Sequence, residues 1–250
     1  MLLETVHSFL FENLEDKTLL KNDYLLPSII IGYVLFVKWI GPSIMETRKP
    51  FSLRGVMVFY NFSEVLANAF LFQWILSESI KWKHIRCLPH DHPSYVSARL
   101  ETLPMWWFIL LNKMTELLDT IFFVLRKKRN QLSMLHIVHH SAICLIVWYL
   151  VRAPARAGFY GFIIVGINIA VHIVMYTYYG LSGLGPHMDK YLWWKKYLTV
   201  LQIGQFVFDI VYVFIEFLTG CEKAGFGEIL NLAFILFLLI LFLRLYRTRY

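Results

Sequence analysis

The sequence predicts an all-α, polytopic membrane protein with seven transmembrane helices. Of its 250 residues, 58% are apolar and only 16% are charged, whereas about a quarter of a soluble domain is charged. The mean hydropathy is +0.56. Scanned with a window of about 19 residues, the chain also resolves into seven apolar stretches, each near the roughly 17–25 residues that cross a bilayer. These fall at residues 24–41, 55–80, 103–125, 133–151, 157–181, 197–219 and 226–244. The connections are short, so the reading is one transmembrane domain over 1–250, with a lumenal N-terminal segment (1–23) and a cytosolic tail (245–250).

The first stretch follows a segment carrying Glu4, Glu12, Glu15, Asp16 and Asp23. It lacks the basic start and early apolar core of a cleaved signal peptide, so this span is retained. The second is polar for a span, and it contains the sequon Asn61-Phe62-Ser63. A glycosylation acceptor within the bilayer is silent. Orientation follows the loop lysines and arginines. Arg126-Lys127-Lys128-Arg129, Lys195-Lys196 and Arg244, Arg247 and Arg249 fall on one side, which is read as cytosolic, with the N-terminus lumenal. Cys87 and Cys221 then lie in lumenal loops, where an oxidising compartment permits a disulfide.

The third stretch holds Lys113-Met-Thr-Glu116-Leu-Leu-Asp119-Thr120. On one continuous helix these charges form a polar face. At about 2.5–3.5 kcal/mol per central charge they are expected to pair. The fourth stretch opens with His136-Ile-Val-His139-His140, whose i, i+3, i+4 spacing places three imidazoles on one helical face. The fifth carries Asn168, His172, Tyr176 and Tyr179 as a stripe, with Met175 beside it, and the sixth begins Thr199-Val-Leu-Gln202-Ile-Gly-Gln205 and continues to Asp209 and Glu216.

Three chemistries suit this inventory. A metal is one, since neutral imidazoles are good ligands and HxxHH boxes occur in membrane desaturases and hydroxylases. His136, His139, His140 and His172 suffice for one zinc, but they are few for two irons. A seven-helix transporter is the second, because buried ionisable groups mark solute and proton pathways. It predicts polar groups strung between both faces, whereas these gather towards the cytosolic half. Acyl transfer is the third, with an imidazole as nucleophile. Cys144 is the rival nucleophile, but its apolar surroundings make a thiol inert. The net charge of +7 suits a bilayer surface or a phosphate-bearing small molecule, and no segment resembles a nucleic-acid module.

Taken together, four segments resemble the signature boxes of the ELO family of very-long-chain fatty acid elongases. They are the Lys113–Thr120 run, Leu135-His136-Ile-Val-His139-His140, the Asn168–Tyr179 run and Thr199–Gln205, with Leu192-Trp193-Trp194-Lys195-Lys196-Tyr197 between the last two. The resemblance covers roughly residues 25–220. It implies six helices ringed around a tunnel open to the cytosol, in the endoplasmic-reticulum membrane. It also implies a condensing enzyme that joins a long-chain acyl-CoA to malonyl-CoA, giving a 3-oxoacyl-CoA two carbons longer with CO2 and CoA.

No cofactor and no metal are expected. By the same resemblance His139 carries the acyl group as an acyl-imidazole and His172 assists as base or positioning group. His136, His140, Asn168 and Tyr176 hold oxyanions and thioester oxygens. Tyr179, Lys113, Glu116, Asp119, Gln202 and Gln205 are expected to line the substrate chamber, and Arg126, Lys195 and Lys196 to contact CoA phosphates. A second copy in a homodimer and the other enzymes of the elongation cycle are the candidate protein partners. The family commonly carries a basic tail with a dilysine retrieval signal, whereas this sequence reads Arg247-Thr-Arg249-Tyr250 at this point, so a truncated tail and a tail that uses arginines are both open.

Overall fold

The computed structural model describes residues 18–89, 91–128, 131–152, 159–221 and 226–249. Among these residues it is entirely helical. Arg129, His90, Arg156, Lys223 and nearly all of the expected lumenal segment (1–23) lie outside the described residues.

After a single turn at Thr18–Lys21, eight helices follow in chain order. They are α1 (Leu25–Glu46), α2 (Arg54–Trp82), α3 (Pro93–Thr115), α4 (Leu118–Leu125), α5 (Met134–Arg152), α6 (Phe159–Leu184), α7 (Lys195–Leu218) and α8 (Phe226–Arg249). Six are long and apolar enough to cross a membrane, namely all but α3 and α4. The stretch expected as one span over 103–125 is the exception. It begins ten residues earlier, at Pro93, and is interrupted at Glu116–Leu117. Its buried charges Lys113, Glu116 and Asp119 lower its hydropathy, and they sit at the interruption itself.

The chain divides into two compact units, each discontinuous in sequence. One comprises residues 1–51 and 99–156, the other 52–98 and 157–250.

In the first unit α1 packs on α5, and its C-terminal turns pack on α4. α1 contains a π-turn at Phe36–Ile40, where the Gly41 N–H reaches back five residues to the Phe36 carbonyl. The π-turn precedes Pro42, which has no N–H to give a regular ladder. Gly41 is also a close approach, since a Cβ there would stand 2.8 Å from Val124 Cγ1. Lys127 adopts φ 55° just past α4, in a Schellman-type end where Lys128 N–H returns to the Phe123 carbonyl. Its Nζ then caps the end of α1 at the Glu46 carbonyl, 3.1 Å away.

In the second unit α2 and α6 run side by side as its dominant pair, with α7 on α6 and α8 on α7. Ile75 meets Gly166, Phe62 meets Gly180 and Val58 meets Gly183. The descending register against ascending numbers makes the pair antiparallel. Glycines at the seam allow the backbones to approach, the small-residue logic of membrane helix packing. Arg54 donates to the Gly183 and Leu184 carbonyls and so caps the end of α6. The chain then turns through Gly185 at φ 124°, a conformation only glycine adopts without strain.

Candidate functional site

The first unit gathers the Lys113–Thr120 run of α3 and α4 against the start of α5. Ser133 caps α5, its hydroxyl accepting the His136 N–H at 3.2 Å, which satisfies one of the orphan donors of a helix N-terminus. The cap fixes His136, His139 and His140 in the first turns. Their rings adjoin, with centroids 4.3 Å apart for His136 and His140 and 5.2 Å for His139 and His140. His140 is buried, while His136 and His139 are half-buried.

Lys113 and Glu116 form a buried ion pair, Nζ to Oε1 at 2.7 Å. The other carboxylate oxygen of Glu116 stands 3.9 Å from His140 Nδ1. Asp119, in the first turn of α4, completes the group, for its carboxylate and a nitrogen from each of His136 and His140 lie within 4.8 Å of one another. Thr120 accepts a hydrogen bond from the Tyr33 hydroxyl at 2.7 Å.

The interruption of the helix has a local cause. Leu117 N–H bonds the Met114 carbonyl at 3.2 Å, one residue short of the α pattern, which leaves the Lys113 carbonyl without the donor a continuous helix would supply. Cys144, fully buried on α5, donates its thiol to that carbonyl at 3.1 Å. The thiol is thereby engaged in holding the break.

The second unit holds the Asn168–Tyr179 run on α6. His172 and Tyr176 are buried and their rings meet edge to face at 5.8 Å. Tyr60 of α2 packs on Tyr176 in the same manner at 6.1 Å. Asn168 is half-buried, and the line of rings continues to Tyr179, which is 41% exposed yet meets the Tyr176 ring edge to face at 6.4 Å. On α7, Gln202 donates to Met175 Sδ at 3.6 Å, and Gln205 and Asp209 are buried one turn apart. Lys195 and Lys196 are exposed in the first turn of α7, with Lys196 over the Tyr246 ring. In the first unit, Arg126 is half-buried at the end of α4.

Sequence reasoning passed over a polar line on α2, where Asn61, Glu64 and Asn68 are 3%, 4% and 0% exposed. Their i, i+3, i+7 spacing was the available signal. At the end of α2 the Cys87–Cys221 disulfide closes a 134-residue separation. Beside it Arg86 bonds the buried Glu216 carboxylate at 2.8 Å. That hydrogen bond is the main reason the Arg86 guanidinium is held above its ordinary pKa.

A family model described as ELO: GNS1/SUR4 family matches residues 18–250. The chain is 37% identical over 240 residues to very long chain fatty acid elongase 7 of Drosophila melanogaster, covering 94% of this chain and 71% of that protein. It is 36% identical over 242 residues to very long chain fatty acid elongase 4 of Homo sapiens, covering 96% and 75%. A very long chain fatty acid elongase of Aedes aegypti is 40% identical over 212 residues; the match spans 83% of this chain and 58% of that longer protein. On a family match that runs from the first described residue to the last, and on these relatives, the chain belongs to the ELO (GNS1/SUR4) family.

Proposed function

We propose that this protein is the condensing enzyme of fatty acid elongation, a 3-oxoacyl-CoA synthase. It joins a long-chain acyl-CoA to malonyl-CoA and releases CO2 and CoA. The observation that carries the reading is the family match over the whole described chain, alongside relatives named as very long chain fatty acid elongases. It does not favour the desaturase and transporter alternatives.

His139 takes the acyl group. Its imidazole nitrogen attacks the thioester carbon, the C–S bond breaks, and CoA leaves as the thiol with the imidazole proton. Malonyl-CoA then loses CO2, and the electrons of that C–C bond form an enolate whose carbon attacks the acyl-imidazole. The C–N bond breaks, and the imidazole regains a proton from the medium. His172 is assigned the base or positioning role, and His136, His140, Asn168 and Tyr176 the contacts to developing oxyanions. Lys113, Glu116, Asp119, Tyr179, Gln202 and Gln205 are assigned to substrate, with Arg126, Lys195 and Lys196 to the CoA phosphates. An acyl-imidazole is prone to hydrolysis and is best protected in a dry tunnel, which the apolar helices are proposed to supply.

What supports His139 as the carrier is its position, half-buried in the capped first turns of α5 and in ring contact with buried His140. Cys144 is committed to the Lys113 carbonyl. The enzyme is assigned to the endoplasmic-reticulum membrane with its N-terminus lumenal and C-terminus cytosolic. A disulfide at Cys87–Cys221 accords with an oxidising compartment on that side. A homodimer and contacts with the other elongation-cycle enzymes belong to the same proposal.

The test is peptide mapping by mass spectrometry after purified protein is incubated with acyl-CoA alone. An acyl group on His139, absent in His139→Ala, is the expected result. An adduct on Cys144, or turnover with no adduct, would overturn the mechanism.

A further inference from the structure

The three histidines of the box do not form one set. His136 and His140 stand at i, i+4 on α5, the spacing by which one helix offers two imidazoles to a single ion. Asp119 reaches the same point from the first turn of α4. One donor atom from each of the three lies within 4.8 Å of the others. Roughly 3.3 Å separates ligand atoms in a tetrahedral zinc site with bonds near 2.1 Å, so closure requires side-chain rotations of about an ångström. His139, one residue from His140, is outside the set.

The surroundings resemble a metal site's outer shell. A ligating histidine commonly directs its second nitrogen towards a carboxylate, which orients the ring and raises its basicity. His140 Nδ1 faces Glu116 Oε2 at 3.9 Å, and Glu116 is anchored by Lys113 at 2.7 Å. Asp119 and His140 are buried and His136 half-buried, so their donors are already largely withdrawn from competing water. Two neutral imidazoles and one carboxylate leave a fourth position open, a donor set that suits Zn2+ or Co2+ better than Mg2+ or Ca2+.

We propose that Asp119, His136 and His140 form a divalent transition-metal site in the first unit, and that its occupancy inhibits condensation. The inhibitory half rests on the reading under Proposed function, because it withdraws His136 and His140 from the reacting oxygens. The binding half does not depend on that reading.

The experiment uses full-length protein purified in detergent, stripped with EDTA and titrated with Co2+. One equivalent is expected to bind with the visible d–d absorption of a four-coordinate ion, and Zn2+ is expected to displace it. Asp119→Asn, which removes a strong ligand at constant volume, is expected to weaken binding at least about tenfold, as is the pair His136→Ala/His140→Ala. His139→Ala is expected to bind Co2+ as the parent does, which separates this proposal from the acyl-carrier test. Zn2+ added before acyl-CoA is expected to lower the yield of the acyl adduct. The site is overturned if no stoichiometric absorption appears, or if Asp119→Asn binds as tightly as the parent. Inhibition is overturned if Zn2+ binds and the adduct yield is unchanged.

Discussion

The buried Lys113–Glu116 pair offers a direct test of how the first unit carries its charges. The two groups meet at 2.7 Å with side chains only 2% and 1% exposed. Glu116→Gln removes the counter-charge that meets the Lys113 ammonium at 2.7 Å, and Lys113→Met removes the one that meets the Glu116 carboxylate. Breaking one side of a buried pair costs about 3–5 kcal/mol, and insertion of a single lysine or acid in hydrocarbon costs about 2.5–3.5 kcal/mol. Each single variant is therefore expected to lose about 3 kcal/mol. At about 2–4 °C per kcal/mol for a chain of this size, Tm falls by about 6–12 °C. The double variant Lys113→Met/Glu116→Gln contains neither charge and is expected within about 1 kcal/mol of the parent, a coupling of about 5 kcal/mol. Thermal unfolding in detergent, followed by tryptophan fluorescence with size exclusion as a control, closes the cycle. If the two losses simply add in the double variant, the charges do not stabilise one another and the pairing argument fails.

Removing the disulfide with Cys87→Ser/Cys221→Ser opens a loop of 134 residues. Chain entropy sets the loss at about 5 kcal/mol or less, readable as a lower Tm that dithiothreitol no longer changes. Gly183→Ala is expected to lose about 1–3 kcal/mol through overpacking, since its Cβ would lie 2.7 Å from Val58 Cγ2. Gly204→Ala on α7 meets nothing within 4 Å and is expected to be neutral or to gain up to about 1 kcal/mol of helix propensity; equal losses at both positions would refute the seam argument. Cys144→Ala is expected to retain condensation activity measured with malonyl-CoA while losing about 1 kcal/mol with the thiol hydrogen bond to the Lys113 carbonyl. Abolished activity in a folded Cys144→Ala protein would return the nucleophile to the thiol.

The six apolar spans were legible because each is a long stretch whose composition alone decides its solvent, and their bounds fall within a few residues of those expected, five at most. The interruption in the third was not. No Pro or Gly marks residues 113–119, and the break depends on Cys144, about thirty positions away, accepting the role of donor to the Lys113 carbonyl. The division into two units was also hidden, since each is assembled from separated segments. At the candidate site, the spacing of His136, His139 and His140 correctly placed the rings together. It did not show that Asp119 groups with only two of them, because that depends on the angle at which α4 leaves the break. Asn61, Glu64 and Asn68 were visible as a periodic line, yet their polarity read only as a weak span.

The break in the third stretch and its low hydropathy have one physical origin. A continuous helix through residues 113–120 would satisfy its own backbone, but it would keep Asp119 on the same rigid cylinder as Lys113. α3 ends at Thr115 and α4 starts at Leu118, with the Leu117 N–H on the Met114 carbonyl and Asp119 grouped with His136 and His140. A backbone carbonyl in hydrocarbon is stabilised by a donor that reaches it. Cys144 supplies that donor from α5, the same helix that carries the histidines. A residue that looked like a competing nucleophile is thus a hydrogen-bond partner of the segment that carries Asp119. Serine at position 144, a stronger donor of similar size, is accordingly expected to match the parent in thermal stability, and valine, which cannot donate, to lose about 1 kcal/mol as alanine does.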